Sequence, residues 1–372
     1  MLNNGNNKRK HTSSYGRNPY LCQNCGSHNC NGRCKRSSSS VKIKRARIPK
    51  KQKISIEKAP AVENIKDLIE LSKIENVLFS NVNTKMLKNI KPQLEELEAM
   101  IGMDELKDTI FDQILYYLQN MHKVHKNDFL HTCIMGAPGT GKTTVAKIIA
   151  EMYKSAGILS KDGVFKIAGR ADLIGKYLGQ TAPKTKALLE SCIGGVLFID
   201  EIYSLGSTDT RGTDSYSEEC INTINQFLSE HQDDFCLIVA GYEDKIKRCF
   251  FSVNEGLERR FTWIHPIRQY DPAELSKIAM KMLKDINWKT AATPGELTKI
   301  IKKEKDMFKH AGGSVQNWIA KVKLAHSRRV FVLDYKDKYI LSKEDFEKGL
   351  EMVKKNGINE KQEDVPPMGM YA

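Results

Sequence analysis

The sequence predicts an α/β fold: a parallel sheet with helices on both faces, followed by a small helical domain. Three observations point to it. Short apolar runs recur at 131–135 (HTCIM), 164–168 (VFKIA), 195–199 (GVLFI), 235–240 (FCLIVA) and 261–266 (FTWIHP), with helical stretches between them. A glycine-rich loop, GAPGTGKT at 136–143, comes directly after the first run. Beyond 271 the strand signals fade and helical spacing takes over, as in Leu275, Ile278 and Met282, and again in Leu350, Met352 and Val353. Apolar runs that do not alternate belong to strands buried on both faces, so helices must lie in front and behind.

Taken in order, residues 1–60 are rich in Ser, Asn and Lys and have almost nothing to bury. Such a segment cannot offset its own ordering entropy, which predicts a disordered arm. Ile65, Leu68, Ile69 and Leu71 predict short helices within a linker at 61–92. Asp104 reads as the N-cap of a helix that puts Leu106, Ile110, Ile114, Leu115 and Leu118 on one face. The α/β domain then occupies 93–270, the helical domain 271–357, and a tail at 358–372 that is not expected to fold. A chain of 372 residues has room for this arrangement.

The charge is unevenly placed. Residues 1–60 hold fifteen Lys and Arg and one acid, Glu57, which accounts for the whole net charge of +14. The body is neutral, so the excess describes an arm suited to polyanions and not a basic globular surface. The start, MLNNGNNKRK, has no apolar core of a signal peptide, and no run approaches the roughly 18 apolar residues of a membrane span. An intracellular protein, cytoplasmic or nuclear, without a membrane partner is expected. Cys133, Cys192, Cys220, Cys236 and Cys249 sit in apolar stretches and read as reduced core residues.

The loop Gly136, Ala137, Pro138, Gly139, Thr140, Gly141, Lys142, Thr143, with Thr144 after it, fits G-x-x-x-x-G-K-[ST]. Glycines let backbone N–H groups curl around phosphate oxygens with no Cβ in the way. Lys142 would bring positive charge to the β- and γ-phosphates of ATP, and the Thr143 hydroxyl would ligate Mg²⁺. The next helix, expected at 143–153, would point its positive end at the anion. The run at 195–199 ends in Asp200 and Glu201, two acids at the carboxyl edge of a sheet, where open α/β sheets bind ligands. Asp200 would join the Mg²⁺ shell and Glu201 would orient the attacking water.

Six segments, in order, resemble AAA+ ATPases: GAPGTGKTTVAKIIAE (136–151), ADLIGKYLGQTAPKTKALLE (171–190), GGVLFIDEIYSL (194–205), SYSEECI (215–221), LIVAGYEDKI (237–246) and NEGLERRF (254–261). The GQTAPKT stretch makes the resemblance specific to the red-type Rubisco activase, or CbbX-like, group. It covers about 94–330. The resemblance implies a homo-oligomeric ring, usually a hexamer, with ATP between neighbours. It places arginine fingers at Arg259 and Arg260, with Arg260 favoured, and a pore loop at Tyr177, Leu178 and Gly179 that would grip a protein substrate. Three departures accompany it. Tyr242 and Glu243 stand where a polar sensor is usual in the wider family. Gly313 or Gln316 stands where the lid sensor arginine is expected, which predicts slow hydrolysis. The basic arm has no counterpart, and Rubisco does not transfer as substrate from motifs confined to the motor.

In the arm, Cys22, Cys25, Cys30 and Cys34 form C-x₂-C-x₄-C-x₃-C, with His28 inside as an alternative ligand. Four thiolates so spaced can surround one Zn²⁺ as in a zinc knuckle, and unpaired thiols or a redox or iron–sulfur role stay open. The run KIKRARIPKKQK at 42–53 suits a nucleic-acid backbone, a nuclear-import signal or a solvated linker. The leading expectation is a ring ATPase that remodels or threads a protein partner. The alternative is an ATPase recruited to DNA or RNA by the arm, in replication, repair or packaging.

Overall fold

In the computed structural model, the described residues are 55–123, 130–160, 163–206, 214–331 and 338–363, with all their side chains except those of 255 and 356–363. Strand β1 (Ser55–Glu57) falls inside the stretch expected as arm and pairs in parallel with β2 (Val77–Phe79). Between them lies α1 (Ile65–Lys73), opened by a capping box in which the Asn64 side chain accepts from the Asp67 N–H. Helix α2 (Thr84–Glu98) runs unbroken through Pro92 and across the expected linker boundary. Its Leu87, Leu94 and Leu97 are fully buried in the same core as α3 (Asp104–Leu118), so this region is part of the α/β body and not a linker.

Asp104 is not the cap of α3. The cap position belongs to Met103, at φ 62°, which makes no side-chain cap bond. Gly102 (φ 67°) and Met103 turn the chain left-handed into the helix. Asp104 and Glu105 then place two carboxylates in the first turn, where the helix dipole favours them.

All five apolar runs are strands of one parallel sheet: β3 (Thr132–Gly136), β4 (Phe165–Ala168), β5 (Val196–Ile199), β6 (Cys236–Gly241) and β7 (Trp263–Ile267). Their order across the sheet is β4-β5-β6-β3-β7. Period-two alternation sends Ile134, Phe198 and Ile238 into one core and Cys133, Leu197 and Leu237 into the other. The first core is closed by α1 to α3 and by α4 (Lys142–Ala156), a turn longer than expected and ended by Gly157 at φ 73°. On the opposite face, α5 (Arg170–Leu173), α6 (Thr181–Glu190), α7 (Ser215–Glu230), α8 (Glu243–Cys249) and α9 (Glu255–Glu258) surround the second core.

The helical domain has its own core around Trp318 and Phe346. Helices α10 (Pro272–Asp285) and α11 (Pro294–Lys303) each begin with Pro in the first turn and a capping box. Helix α12 (Ala311–Arg329) packs on α13 (Lys343–Glu363), which extends into the stretch expected as an unfolded tail. A short parallel pair, β8 (Lys289–Thr290) with β9 (Ile340–Leu341), was not foreseen, because two residues are too few to show alternation. Among the described residues no helix is long and apolar enough to cross a membrane.

Candidate active site

The chain leaves β3 at the carboxyl edge of the sheet and makes the glycine-rich turn before α4. Gly139 and Gly141 sit at φ 74° and 92°, a region other residues enter only with strain. The Thr140 hydroxyl donates to the Ala137 carbonyl at 2.8 Å and closes the turn. Lys142 is buried at the start of α4, its Nζ donating to the carbonyls of Gly136 (3.1 Å) and Ala137 (2.8 Å). Burial pulls its pKa down, and the nearby carboxylates of Asp200 and Glu201 oppose that shift.

The structure therefore brings both halves of the expected site together. The hydroxyl of Thr143, on the first turn of α4, lies 3.5 Å from Asp200 Oδ2 beyond the end of β5. Asp200 Oδ1 accepts the Glu201 N–H at 2.9 Å. That bond helps hold Glu201 at φ 51°, a left-handed conformation costing about 1–2 kcal/mol in a non-glycine residue. The bend turns the exposed Glu201 side chain out at the sheet edge. Thr143 and Asp200 are two oxygen ligands of the kind Mg²⁺ takes alongside substrate phosphates and water. Among the described residues no cage of three or more His, Cys, Asp or Glu exists that would hold a metal by itself.

A cavity of about 280 Å³ adjoins the turn, with Thr140, Gly141 and Thr144 among its lining, Met100, Ile101, Tyr270, Ile278 and Met282 giving it an apolar part, and Glu96, Lys281 and Asp285 adding charge. Its apolar part suits a flat base, with phosphates leading to the glycine turn. Two bonds tie that turn to later parts of the chain, one from the residue just before the helical domain and one from within it. Tyr270 Oη donates to the Thr140 carbonyl at 3.0 Å, and the Gly312 N–H donates to the Gly139 carbonyl at 3.0 Å.

Residues 132–262 match the AAA family, described as "ATPase family associated with various cellular activities". The chain is 32% identical over 286 residues to a chloroplastic ribulose bisphosphate carboxylase/oxygenase activase of Cyanidioschyzon merolae, covering 75% of this chain and 91% of that protein. This chain is an AAA+ ATPase of the CbbX-like group. Protein CbbX of Cereibacter sphaeroides is 34% identical over 65% of the ATPase and 79% of its own length. A putative cfxQ-like protein of Acanthamoeba polyphaga mimivirus is 36% identical over 73% of this chain and 67% of its own length.

The structure also places the remaining candidate residues of the ATPase. Tyr177 and Leu178 are 70% and 79% exposed at the tip of a loop, with Gly179 at φ 78°. Lys184 braces the base of that loop, donating to the carbonyls of Ala171 (2.6 Å) and Ile174 (2.9 Å). Arg259 is exposed. Arg260 is half-buried and engaged within its own chain, donating to Ser229 Oγ (2.6 Å from Nη2) and to the Gly256 carbonyl. Gln316 and Gly313 are exposed on α12, and the domain meets the glycine turn through the backbone of Gly312. Cys22, Cys25, Cys30, Cys34 and His28 lie outside the described residues.

Several site residues went unforeseen. Arg170 binds the Ser204 carbonyl (2.7 Å) and the Ser217 hydroxyl (2.9 Å), joining the acid-bearing segment to α7. Tyr203 and Lys245 meet Tyr242 beside Glu201. Their signal in the sequence was the tyrosine two residues after Glu201 and the Gly-Tyr pair ending the strand at 236–241.

Proposed function

We propose that this ATPase hydrolyses Mg·ATP in a ring of identical subunits, usually six in such proteins, and uses the cycle to remodel or thread a protein partner. The observation that carries the reading is the meeting of Lys142, Thr143, Asp200 and Glu201 at one sheet edge. The turn from Gly136 to Gly141 would wrap the phosphates with backbone N–H groups, and Lys142 would exchange its two carbonyl partners for phosphate oxygens. Thr143 and Asp200 would hold Mg²⁺, whose charge, when bound, offsets that on the phosphate oxygens. Glu201 would accept a hydrogen bond from the water in line with the γ-phosphorus and orient it. Arg259 or Arg260 would reach the γ-phosphate of a neighbouring subunit.

The exposed Tyr177–Leu178 tip supports the threading role, since an aromatic ring on a braced loop can grip side chains of any sequence. The relatives named for Rubisco activation support a protein as the object of the work, and no similarity favours the nucleic-acid alternative. A zinc knuckle at Cys22, Cys25, Cys30 and Cys34 remains part of the proposal for the arm, where it would select the target.

Glu201→Gln tests the site. The carboxamide keeps the shape and loses the base, so turnover should fall about 10²–10⁴-fold while ATP binding persists. Electron micrographs of that variant with ATP should show rings. Wild-type turnover in Glu201→Gln would remove the assignment.

A further inference from the structure

Strands β4 and β5 are neighbours in the sheet, and Ala168 opposite Ile199 is their last registered pair. Arg170 and Glu201 each stand just beyond that pair, at the edge that carries the site. Arg170 opens α5, and its guanidinium reaches three acceptors on two other segments. Nη1 donates to the Ser204 carbonyl at 2.7 Å and to Ser217 Oγ at 2.9 Å, and Nη2 donates to Asp214 Oδ2 at 2.5 Å. The Ser204 N–H in turn donates to the Glu201 carbonyl at 2.7 Å. An unbroken line of hydrogen bonds thus runs from the backbone of Glu201 through Ser204 to Arg170. Asp214 is fixed at the far end as the cap of α7, accepting from the Tyr216 N–H at 3.2 Å.

On its other side Arg170 leads into the exposed loop, since α5 ends at Leu173 with the Tyr177–Leu178 tip close behind. Gly175 lets the two ends of that loop meet: a Cβ there would stand 2.6 Å from that of Gln180. The Gly175 N–H donates to Thr181 Oγ1 at 3.2 Å, and Thr185 Oγ1 donates to the Leu173 carbonyl at 3.0 Å. Both threonines are fully buried. With the two bonds from Lys184, they make α5, the loop base and α6 one braced unit. The side chains of the Arg170–Asp214 pair are 38% and 37% exposed, so its contribution to stability is small. What it supplies is position, because a planar fork with several acceptors fixes how α5 stands against the turn after Glu201. Resting on the reading of Glu201 as the water-orienting acid and of the Tyr177 tip as the gripping loop, we infer that Arg170 is a positioning residue that couples the two. A shift of the turn on loss of the γ-phosphate passes through Ser204 to Arg170 and so to the loop. A load on the loop acts back on the Glu201 segment by the same route.

Arg170→Met keeps the aliphatic stem and removes the fork. Hydrogen–deuterium exchange of the full chain, read by mass spectrometry over residues 174–180, measures the coupling with ADP and with a non-hydrolysable ATP analogue. In wild type the two states should differ in exchange rate about fivefold or more, the low end of an ordinary coupling. In Arg170→Met they should agree within about twofold, with nucleotide still bound. A purely local loosening would speed exchange in both states and keep their ratio, so a ratio that survives in Arg170→Met overturns the inference. Asp214→Asn covers the case in which Arg170→Met does not fold, because Asn caps a helix as well as Asp and only the charged anchor is lost. There the ratio should fall by about half, and an undiminished ratio overturns the inference. Equal exchange of the two states in wild type overturns it as well, and leaves the reading of Glu201 intact if Glu201→Gln still lowers turnover. Wild-type turnover in Glu201→Gln is a different outcome, which removes that reading itself.

Discussion

Asp345 is fully buried in the helical domain, and the polar groups around it come from the end of α12 and from the turn that opens α13. Arg329 grips both its oxygens at 2.8 Å, His326 Nδ1 lies 2.8 Å from Oδ2, and the Ser342 N–H donates to the same oxygen. Burial alone would raise this carboxyl, but the bonds from Arg329, Ser342 and His326 outweigh it and hold it well below the carboxylate range. Asp345→Asn leaves Arg329 facing a neutral amide, and breaking such a pair costs roughly 3 kcal/mol. Trp288 and Trp318 both belong to this core and report its melting by fluorescence. The variant should melt earlier at pH 7. Since the folded carboxyl titrates below its unfolded value of about 4, the contribution of the pair is full above that pH and fades as pH falls beneath it. Wild type and variant should therefore converge in acid. Equal melting at pH 7 would refute this role. None of this was legible in the sequence, where Asp345 is 16 residues from Arg329 and 19 from His326 in a run of ordinary charged residues. Lys142, Thr143, Asp200 and Glu201 were legible because a phosphate turn and an acidic strand end are local patterns.

Among the elements, α12 shows how a missing side chain can leave a contact intact. Where the wider family carries a lid arginine, the stretch HAGGSVQN starts this helix directly against the phosphate turn. A Cβ on Gly139 would meet the His310 carbonyl at 2.2 Å, and one on Gly312 would meet the Gly139 carbonyl at 2.9 Å. The two glycines let backbone touch backbone. Gly312→Ala is thus expected to push α12 off the turn and weaken ATP binding about tenfold, although alanine favours a helix over glycine by about 1 kcal/mol. Titration with a fluorescent ATP analogue and melting of the helical domain would separate the two effects. Unchanged affinity would count against the contact. The five strands were read correctly because apolar runs bounded by turns leave few alternatives. Only the inner three are buried throughout or nearly so, the edge strands β4 and β7 leaving Ile167 and Ile264 exposed. The misread elements share a cause. Met103, β8 and β9 are set by contacts distant in sequence, and α2 keeps its helix through Pro92 because Leu94 and Leu97 are buried beyond it.

At the scale of the whole molecule, each half of the proposed reaction sits on a different face, and a ring would bring the halves together. The helix α9 ends at the Arg259–Arg260 pair, and Arg260 ties α9 to α7 through Gly256 and Ser229. That anchorage lets Arg260 act as a brace for the exposed Arg259, or turn outward itself when a neighbour arrives. In either case the proposed role of the pair is at another subunit's ATP and not its own. A mixing experiment tests this division. Lys142→Ala cannot bind ATP but keeps both arginines, while Arg259→Ala/Arg260→Ala binds ATP but lacks them. Each protein alone should be nearly inactive, with a loss of about 10³-fold or more. Mixed in equal amounts and allowed to exchange subunits, they should recover about a quarter of wild-type turnover, the share of interfaces where an intact site meets an intact arginine pair. A mixture that stays as inactive as its components, under conditions where subunit exchange is shown by fluorescence transfer, would mean that no arginine crosses between subunits.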